Sequence, residues 1–346
     1  MDLSRRRLGL TDMETTPVGF GAWAAGGSGW AFSWGPQGDE LSIAAIHRAL
    51  ELGVNWIDTA AVYGLGHSEE VVARALGGIA PGDRPYVFTK CGMVWDDSDH
   101  GREPQEVGRP ESIRRELEAS LRRLRMERVD LYQMHWPAED GTPLEEYRGC
   151  LLDLKREGKV RWVGLSNHDR LQLEAAERLG HVNSLQPPFS MIRREAAAEI
   201  IPWCREHNTG VIVYSPMQAG LLTGAFSWDR AASLSPDDWR SRDPGFQGTG
   251  LAHNLELAEA LRPIALRHGG TVAAVAVAWT LSWPGVTGAI VGARSPGQVD
   301  GWVGAGTMQL TPRDLEEISK AAVGTGGGRS DPVETGLRGG TRRCPT

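Results

Sequence analysis

Short apolar runs alternate along the chain with longer segments whose apolar positions recur at helical spacing, a pattern that predicts strands and helices in turn. The predicted strands are Val18–Phe20, Trp56–Asp58, Tyr86–Thr89, Leu131–Met134, Arg161–Leu165, Ser184–Gln186, Val211–Tyr214 and Ala289–Val291. The predicted helices are Glu40–Leu52, Glu69–Leu76, Ile113–Leu124, Leu144–Arg156, Leu171–Leu179, Glu195–Glu206, Leu255–Arg267 and Val272–Leu281. Ser68 and Asp39 stand where side chains cap helix starts, and Gly53 and Gly158 stand where helices stop. Ahead of this alternation, "RRLGL", a turn at Thr11-Asp12 and "TTPVGF" predict an N-terminal β-hairpin.

Short strands that alternate with helices imply parallel pairing, with crossover helices covering the sheet. Eight such units fit a closed (β/α)8 TIM barrel, an α/β fold in one domain over residues 1–323. A doubly wound open sheet is the alternative, but "GFGAWAAGG" lacks the G-x-G-x-x-G spacing and has no helix directly behind it. Two segments stand outside the alternation. Ser227–Asn254, after the seventh strand, reads as a long, polar, helix-poor loop of the kind that forms lids. Residues 324–346 are rich in Gly and Arg and read as a flexible tail.

Composition narrows the function. A formal charge of −7 argues against a nucleic-acid or anionic-membrane binder, because those partners are held by basic patches. Cys91, Cys150, Cys204 and Cys344 show neither disulfide nor zinc spacing, so no metal site and a reducing, cytoplasmic setting are expected. No apolar run is long enough to predict a membrane span, and "MDLSRRRLGLTDMETTPVGF" lacks the apolar stretch of a signal peptide. Nothing here sets the oligomeric state, and a homo-oligomer stays open.

In a barrel of this type the chemistry gathers at the C-terminal ends of strands. Asp58 ends the second strand, Tyr63 follows on its loop, Lys90 ends "YVFTK" and His135 ends "VDLYQMH". These four types make sense together for proton transfer to a carbonyl oxygen. A phenol has a reference pKa near ~10, and a nearby ammonium lowers it by favouring phenolate. Lys90 supplies that charge in this reading, Asp58 keeps it protonated by ion pairing, and His135 hydrogen-bonds the substrate oxygen. His67, beside Tyr63 in "GLGHSEE", is the lesser histidine candidate.

The arrangement resembles the Asp-Tyr-Lys-His tetrad of the aldo-keto reductase superfamily, bacterial-type and related to the potassium-channel β-subunit-like branch. The resemblance runs from "RRLGL" to about Val323 and is carried by "NWIDTAAVYGLGHSEE", "VFTKCG", "LYQMHWP", "GLSNH", "SLQPPFSMI" and "VIVYSPMQAGLLTG". It implies Tyr63 as general acid and NADPH/NADP+ as cofactor, bound without a Rossmann loop. It places Ser166, Asn167 and Gln186 on the nicotinamide carboxamide and stacks Tyr214 on the ring. It gives the pyrophosphate to Ser215, Pro216, Met217, Gln218, Gly220 and Leu221, and the adenosine end to Gly292, Arg294, Ser295 and Gln298, with Arg294 and Ser295 on the 2′-phosphate. Ala225 stands where many members carry Lys, and Gly301 and Trp302 stand where an acid and Asn often face adenine.

Trp23, Trp30 and Trp34 follow the first strand and Trp136 follows His135, so aromatic walls are expected at the mouth to hold a small-molecule carbonyl substrate. The expected function is NADPH-dependent reduction of an aldehyde or ketone to an alcohol. The alternative is a cofactor-sensing regulatory subunit with little turnover, against which the intact tetrad weighs. A metal-dependent hydrolase on the same barrel is the third reading, and no His-x-His ends the first strand to support it.

Overall fold

Strands this short, and apolar on both faces, need a neighbour on each side and a helix outside. The computed structural model of the protein describes residues 3–322, and the predicted tail, with Cys344, lies outside the described residues. Eight parallel strands form a closed barrel. In chain order, and so numbered first to eighth, they are Val18–Gly21, Trp56–Asp58, Tyr86–Cys91, Val129–Met134, Val160–Ser166, Ser184–Gln186, Gly210–Val213 and Val286–Gly292. Each pairs with its sequence neighbours, and the eighth closes on the first from Ala289↔Val18 to Gly292↔Gly21.

The helices α1 (Asp39–Glu51), α2 (His67–Ala75), α3 (Pro110–Leu124), α4 (Leu144–Arg156), α5 (Arg170–Leu179) and α6 (Ile200–Glu206) make the first six crossovers. Behind the seventh strand come α7 (Trp228–Ala232), α8 (Gly248–Ala260), α9 (Arg262–Arg267) and α10 (Val272–Leu281). Then α11 (Pro296–Trp302) and α12 (Pro312–Ala322) follow the eighth. No single helix among the described residues is long and apolar enough to cross a membrane. The apolar α10 is buried at every residue, so it is a core helix with no solvent face.

Several helix details differ from the sequence reading. The helix expected over Glu195–Glu206 is a 3-10 turn at Glu195–Ala197 followed by α6, and that expected over Leu255–Arg267 breaks between α8 and α9. One cause serves both: Pro202 and Pro263 have no N–H to donate, so each helix restarts with its proline in the first turn. Ser68 and Asp39 are not caps, because α2 starts two residues and α1 one residue earlier than that role needs, behind Gly66 and Gly38. The loop expected to be helix-poor over Ser227–Asn254 contains α7 and the first half of α8. Gly53 and Gly158 do follow helix ends, both with left-handed backbone.

Two apolar layers hold the barrel. The outer one lies between strands and helices. The inner one fills the barrel with Trp56, Phe88, Leu131, Ile212 and Ile290, and Leu8 and Met13 pack into it. Both come from the hairpin that pairs Arg6–Arg7 with Glu14–Thr15, which therefore plugs the N-terminal end of the barrel. Trp56 needs its neighbour to be glycine: a Cβ on Gly19 would lie 2.1 Å from the indole.

Candidate active site

At the other end of the barrel, the second strand delivers Asp58 two residues beyond Trp56. The Asp58 carbonyl accepts from Ala22 N–H at 2.9 Å and Thr59 N–H donates to the Phe88 carbonyl at 2.9 Å, so the strand end is fixed on both sides. Tyr63 follows in a compact turn, where Gly64 passes so close to Gly26 that a Cβ would lie 2.2 Å from its carbonyl oxygen. Ser68 docks α2 beneath this turn by donating to the Ala22 carbonyl at 2.8 Å and sharing a hydrogen bond with Thr59 Oγ1 at 2.9 Å. Buried Glu69 then ties the third strand to α3, accepting from Thr89 Oγ1 and Arg123 Nε, each at 2.6 Å.

These supports bring Asp58, Tyr63, Lys90 and His135 together. Lys90 Nζ donates to Asp58 Oδ1 at 2.5 Å, to the Thr59 carbonyl at 2.9 Å and to Tyr63 Oη at 3.4 Å. An ammonium has three N–H bonds, and here each has an acceptor. The second carboxylate oxygen of Asp58 accepts from Gln186 Nε2 at 2.9 Å. Because Tyr63 Oη accepts from Lys90, its own proton is left for another partner. The His135 ring meets the Tyr63 ring edge-on, with centroids 5.7 Å apart.

Burial sets the protonation. It pushes the Asp58 carboxyl up, against the pull of Lys90 and Gln186, and pushes the Lys90 ammonium down, against the pull of Asp58. The Tyr63 phenol is raised well above its ordinary range by burial and then by the Asp58 charge. This corrects the sequence argument that Lys90 lowers it: in this site the phenol holds its proton tightly. Burial and the Lys90 charge hold His135 well below the usual imidazole range, so it is neutral.

A cavity of about 760 Å³ opens above the tetrad, with Asp58, Tyr63 and His135 in its wall and Lys90 behind them. Asn167, with left-handed backbone at φ 60°, donates to the His135 carbonyl at 3.0 Å and accepts from Tyr214 Oη at 2.9 Å. Gln186 and Tyr214 line the cavity beside it. The Ser166 hydroxyl instead points back, donating to the Gln186 carbonyl at 2.9 Å.

Farther along, Ser215, Pro216, Met217 and Gly220 line the wall. Their backbone is left-handed at Ser215, Gln218, Ala219 and Gly220 and closes on itself, the N–H groups of Gln218 and Gly220 donating to the carbonyls of Ser215 at 2.9 Å and Met217 at 3.1 Å. The Gln218 side chain lies outside the wall and accepts from Ser190, and Leu221 is buried in a separate apolar cluster. At the far end stand Gly292, Arg294 and Gln298, with Ser295 outside the wall as the residue before α11. Arg294 donates to Gln37 Oε1 at 2.8 Å, to the Trp34 carbonyl at 3.2 Å and to the Pro36 carbonyl. Three of its five N–H bonds are thus used, leaving one on each terminal nitrogen.

Trp23, Trp30, Trp34 and Trp136 all line the mouth. What joins them to the long loop is not legible along the chain. Trp239 stacks on Trp23 with centroids 5.8 Å apart and meets Trp34 edge-on at 5.8 Å. Ser33 Oγ donates to the Asp237 carbonyl at 2.6 Å, and Trp239 N–H donates to the Ser33 carbonyl at 3.1 Å. Arg240, buried and paired with Asp238, also donates to the Ala219 carbonyl at 3.2 Å and lies 4.6 Å above the Trp34 ring. The loop is therefore a strap across the cavity. His67 is turned away, bonded to Asp39 at 2.8 Å. Among the described residues no group of His, Cys, Asp and Glu is placed to hold a metal ion.

A sequence profile described as "Aldo/keto reductase family" matches residues 17–323. The chain is 32% identical to "Aldo-keto reductase YhdN" of Bacillus subtilis over 93% of this chain and 94% of that one. It is 34% identical to the "NADH-specific methylglyoxal reductase" of Escherichia coli, over 91% and 98% respectively. Among solved structures, the glycerol dehydrogenase AKR11B4 from Gluconobacter oxydans superimposes with a TM-score of 0.84 at 36% identity, covering 96% of this chain and 99% of that one.

Proposed function

The chain belongs to the aldo/keto reductase family, and from that premise we propose that it reduces an aldehyde or ketone to the alcohol, reversibly, with NADPH as cofactor and Tyr63 as general acid. The observation that carries this reading is the Lys90 geometry: the ammonium spends a donor on Tyr63 Oη, so the phenolic proton is free to face the cavity beside neutral His135.

The nicotinamide cofactor supplies the hydride. Asn167, Gln186 and Tyr214 line the section next to the tetrad and orient the ring against the substrate. The carbonyl oxygen sits between Tyr63 and His135. As hydride adds to the carbon, negative charge grows on that oxygen, His135 stabilises it through a hydrogen bond, and Tyr63 gives up its proton. The Lys90 ammonium then faces the phenolate, and Asp58 holds the ammonium in place.

The segment from Ser215 to Gly220, which lines the cavity together with Arg230 and Arg240 of the strap, is the one we assign to the pyrophosphate. The two spare N–H groups of Arg294 support a 2′-phosphate and hence NADPH over NADH. The Escherichia coli relative is named for NADH, so cofactor choice is the first property to measure. The test is cofactor consumption, with NADPH and with NADH, across aldehydes, ketones and keto-sugars, with Tyr63→Phe as the blank. Turnover that survives in Tyr63→Phe overturns the acid assignment.

A further inference from the structure

The charged side chains that line the cavity divide by position in the barrel. Arg230, Arg240 and Arg294 come from segments behind the seventh and eighth strands, where the cofactor phosphates are to be held. Glu106 and Glu139 come from segments behind the third and fourth strands, diametrically across an eight-stranded barrel. Glu106 lies on the small hairpin Met93–Val94 with Gln105–Glu106, and the Glu139 N–H donates to its carbonyl at 2.9 Å, so the two acids are fixed side by side.

Neither acid forms an ion pair among the described residues. The cations on their own loops are taken elsewhere, Arg109 by Asp140 at 3.4 Å and Arg102 by Asp96 at 3.9 Å. Burial raises the Glu106 carboxyl above the usual range, and Glu139 and Glu103 add to that through repulsion. Trp30, Phe32, Met93 and Trp136 give the cavity that holds both acids and the tetrad apolar walls, and such walls carry a field farther than water does. Inside, Asp58 and Lys90 neutralise each other, and His135 is uncharged.

We infer that Glu106 and Glu139 make the substrate end selective for neutral and cationic carbonyl compounds, hydroxylated ones included, against carboxylates and phosphate esters. This rests on the carbonyl-reduction reading. An anionic substrate would meet uncompensated negative charge at the mouth, because Arg240 is already paired with Asp238 and Arg230 and Arg294 lie across the barrel with the cofactor phosphates. A sugar or polyol hydroxyl, by contrast, can donate to either carboxylate.

The test compares kcat/KM for 4-(trimethylammonio)benzaldehyde and 4-formylbenzoate, similar in size and opposite in charge, in the wild type and in E106Q/E139Q. The cation-to-anion ratio is expected to fall at least about tenfold in the double variant, mostly through KM, and to narrow in the wild type as salt is raised. A ratio that neither substitution nor salt moves overturns the inference. Wild-type reduction of 4-nitrobenzaldehyde separates the two levels: turnover with an immovable ratio removes only the charge selection, whereas no oxidation of NADPH or NADH by any of the three aldehydes removes the carbonyl-reduction reading and the selection with it.

Discussion

Tyr63 keeps its proton through burial and directs it through Lys90. Tyr63→Phe removes the proton while leaving the ring, so kcat is expected to fall by about a thousandfold, while NADPH still quenches protein fluorescence on binding. Arg294 holds the 34–37 loop, and in the proposed reading its two spare N–H groups also meet a phosphate. Arg294→Ala is expected to raise the Kd for NADPH about tenfold to a hundredfold and that for NADH much less, by fluorescence titration. Equal losses would mean that only the loop-holding task is real. At this scale the sequence was legible in identity and not in electrostatics: Asp58, Lys90 and His135 stand at strand ends and Tyr63 on the loop behind one, but the direction of the Tyr63 shift depends on how deeply the phenol is buried, which spacing along a chain does not encode.

Elements were legible where local pattern and tertiary need agree. The second and sixth strands, α4 and α10 run as the alternation predicts, because their apolar positions face the core. The strap was readable as a long polar segment, but Trp239 and Arg240 reach the mouth tryptophans through contacts about two hundred positions away along the chain, so nothing local marked them. Trp239→Ala removes stacked and edge-on contacts worth about 1–2 kcal/mol together. Release of NADPH, followed by stopped-flow displacement, is expected to quicken about tenfold. Glu116 on α3 makes another element contact, accepting from Gly92 N–H at 2.8 Å just beyond Lys90. Burial raises its carboxyl to about 7. The folded state therefore binds more protons than the unfolded state between the ordinary carboxylate value and that pH. Its stabilising share is complete at low pH and is lost as pH rises through about 7. Glu116→Gln is expected to be more stable than the wild type by about 3 kcal/mol at pH 8.5, the gap shrinking to about 1 kcal/mol or less at pH 5, by thermal or denaturant unfolding.

Across the whole molecule, the two ends of the barrel answer to different demands. The hairpin plug, with Leu8 and Met13 fully buried, belongs to closure and packing. Leu8→Ala and Met13→Ala are each expected to cost about 2–5 kcal/mol in urea unfolding and to leave kcat and KM unaltered. The mouth instead carries the discriminating side chains on segments between strands, whereas Asp58 and Lys90 are rooted in strands and His135 directly follows one. Substitutions accumulating in the loops behind the third and fourth strands touch neither the plug nor the turn that carries Tyr63. After a gene duplication, one copy of such a chain can drift toward new substrates while inheriting its fold and its chemistry intact.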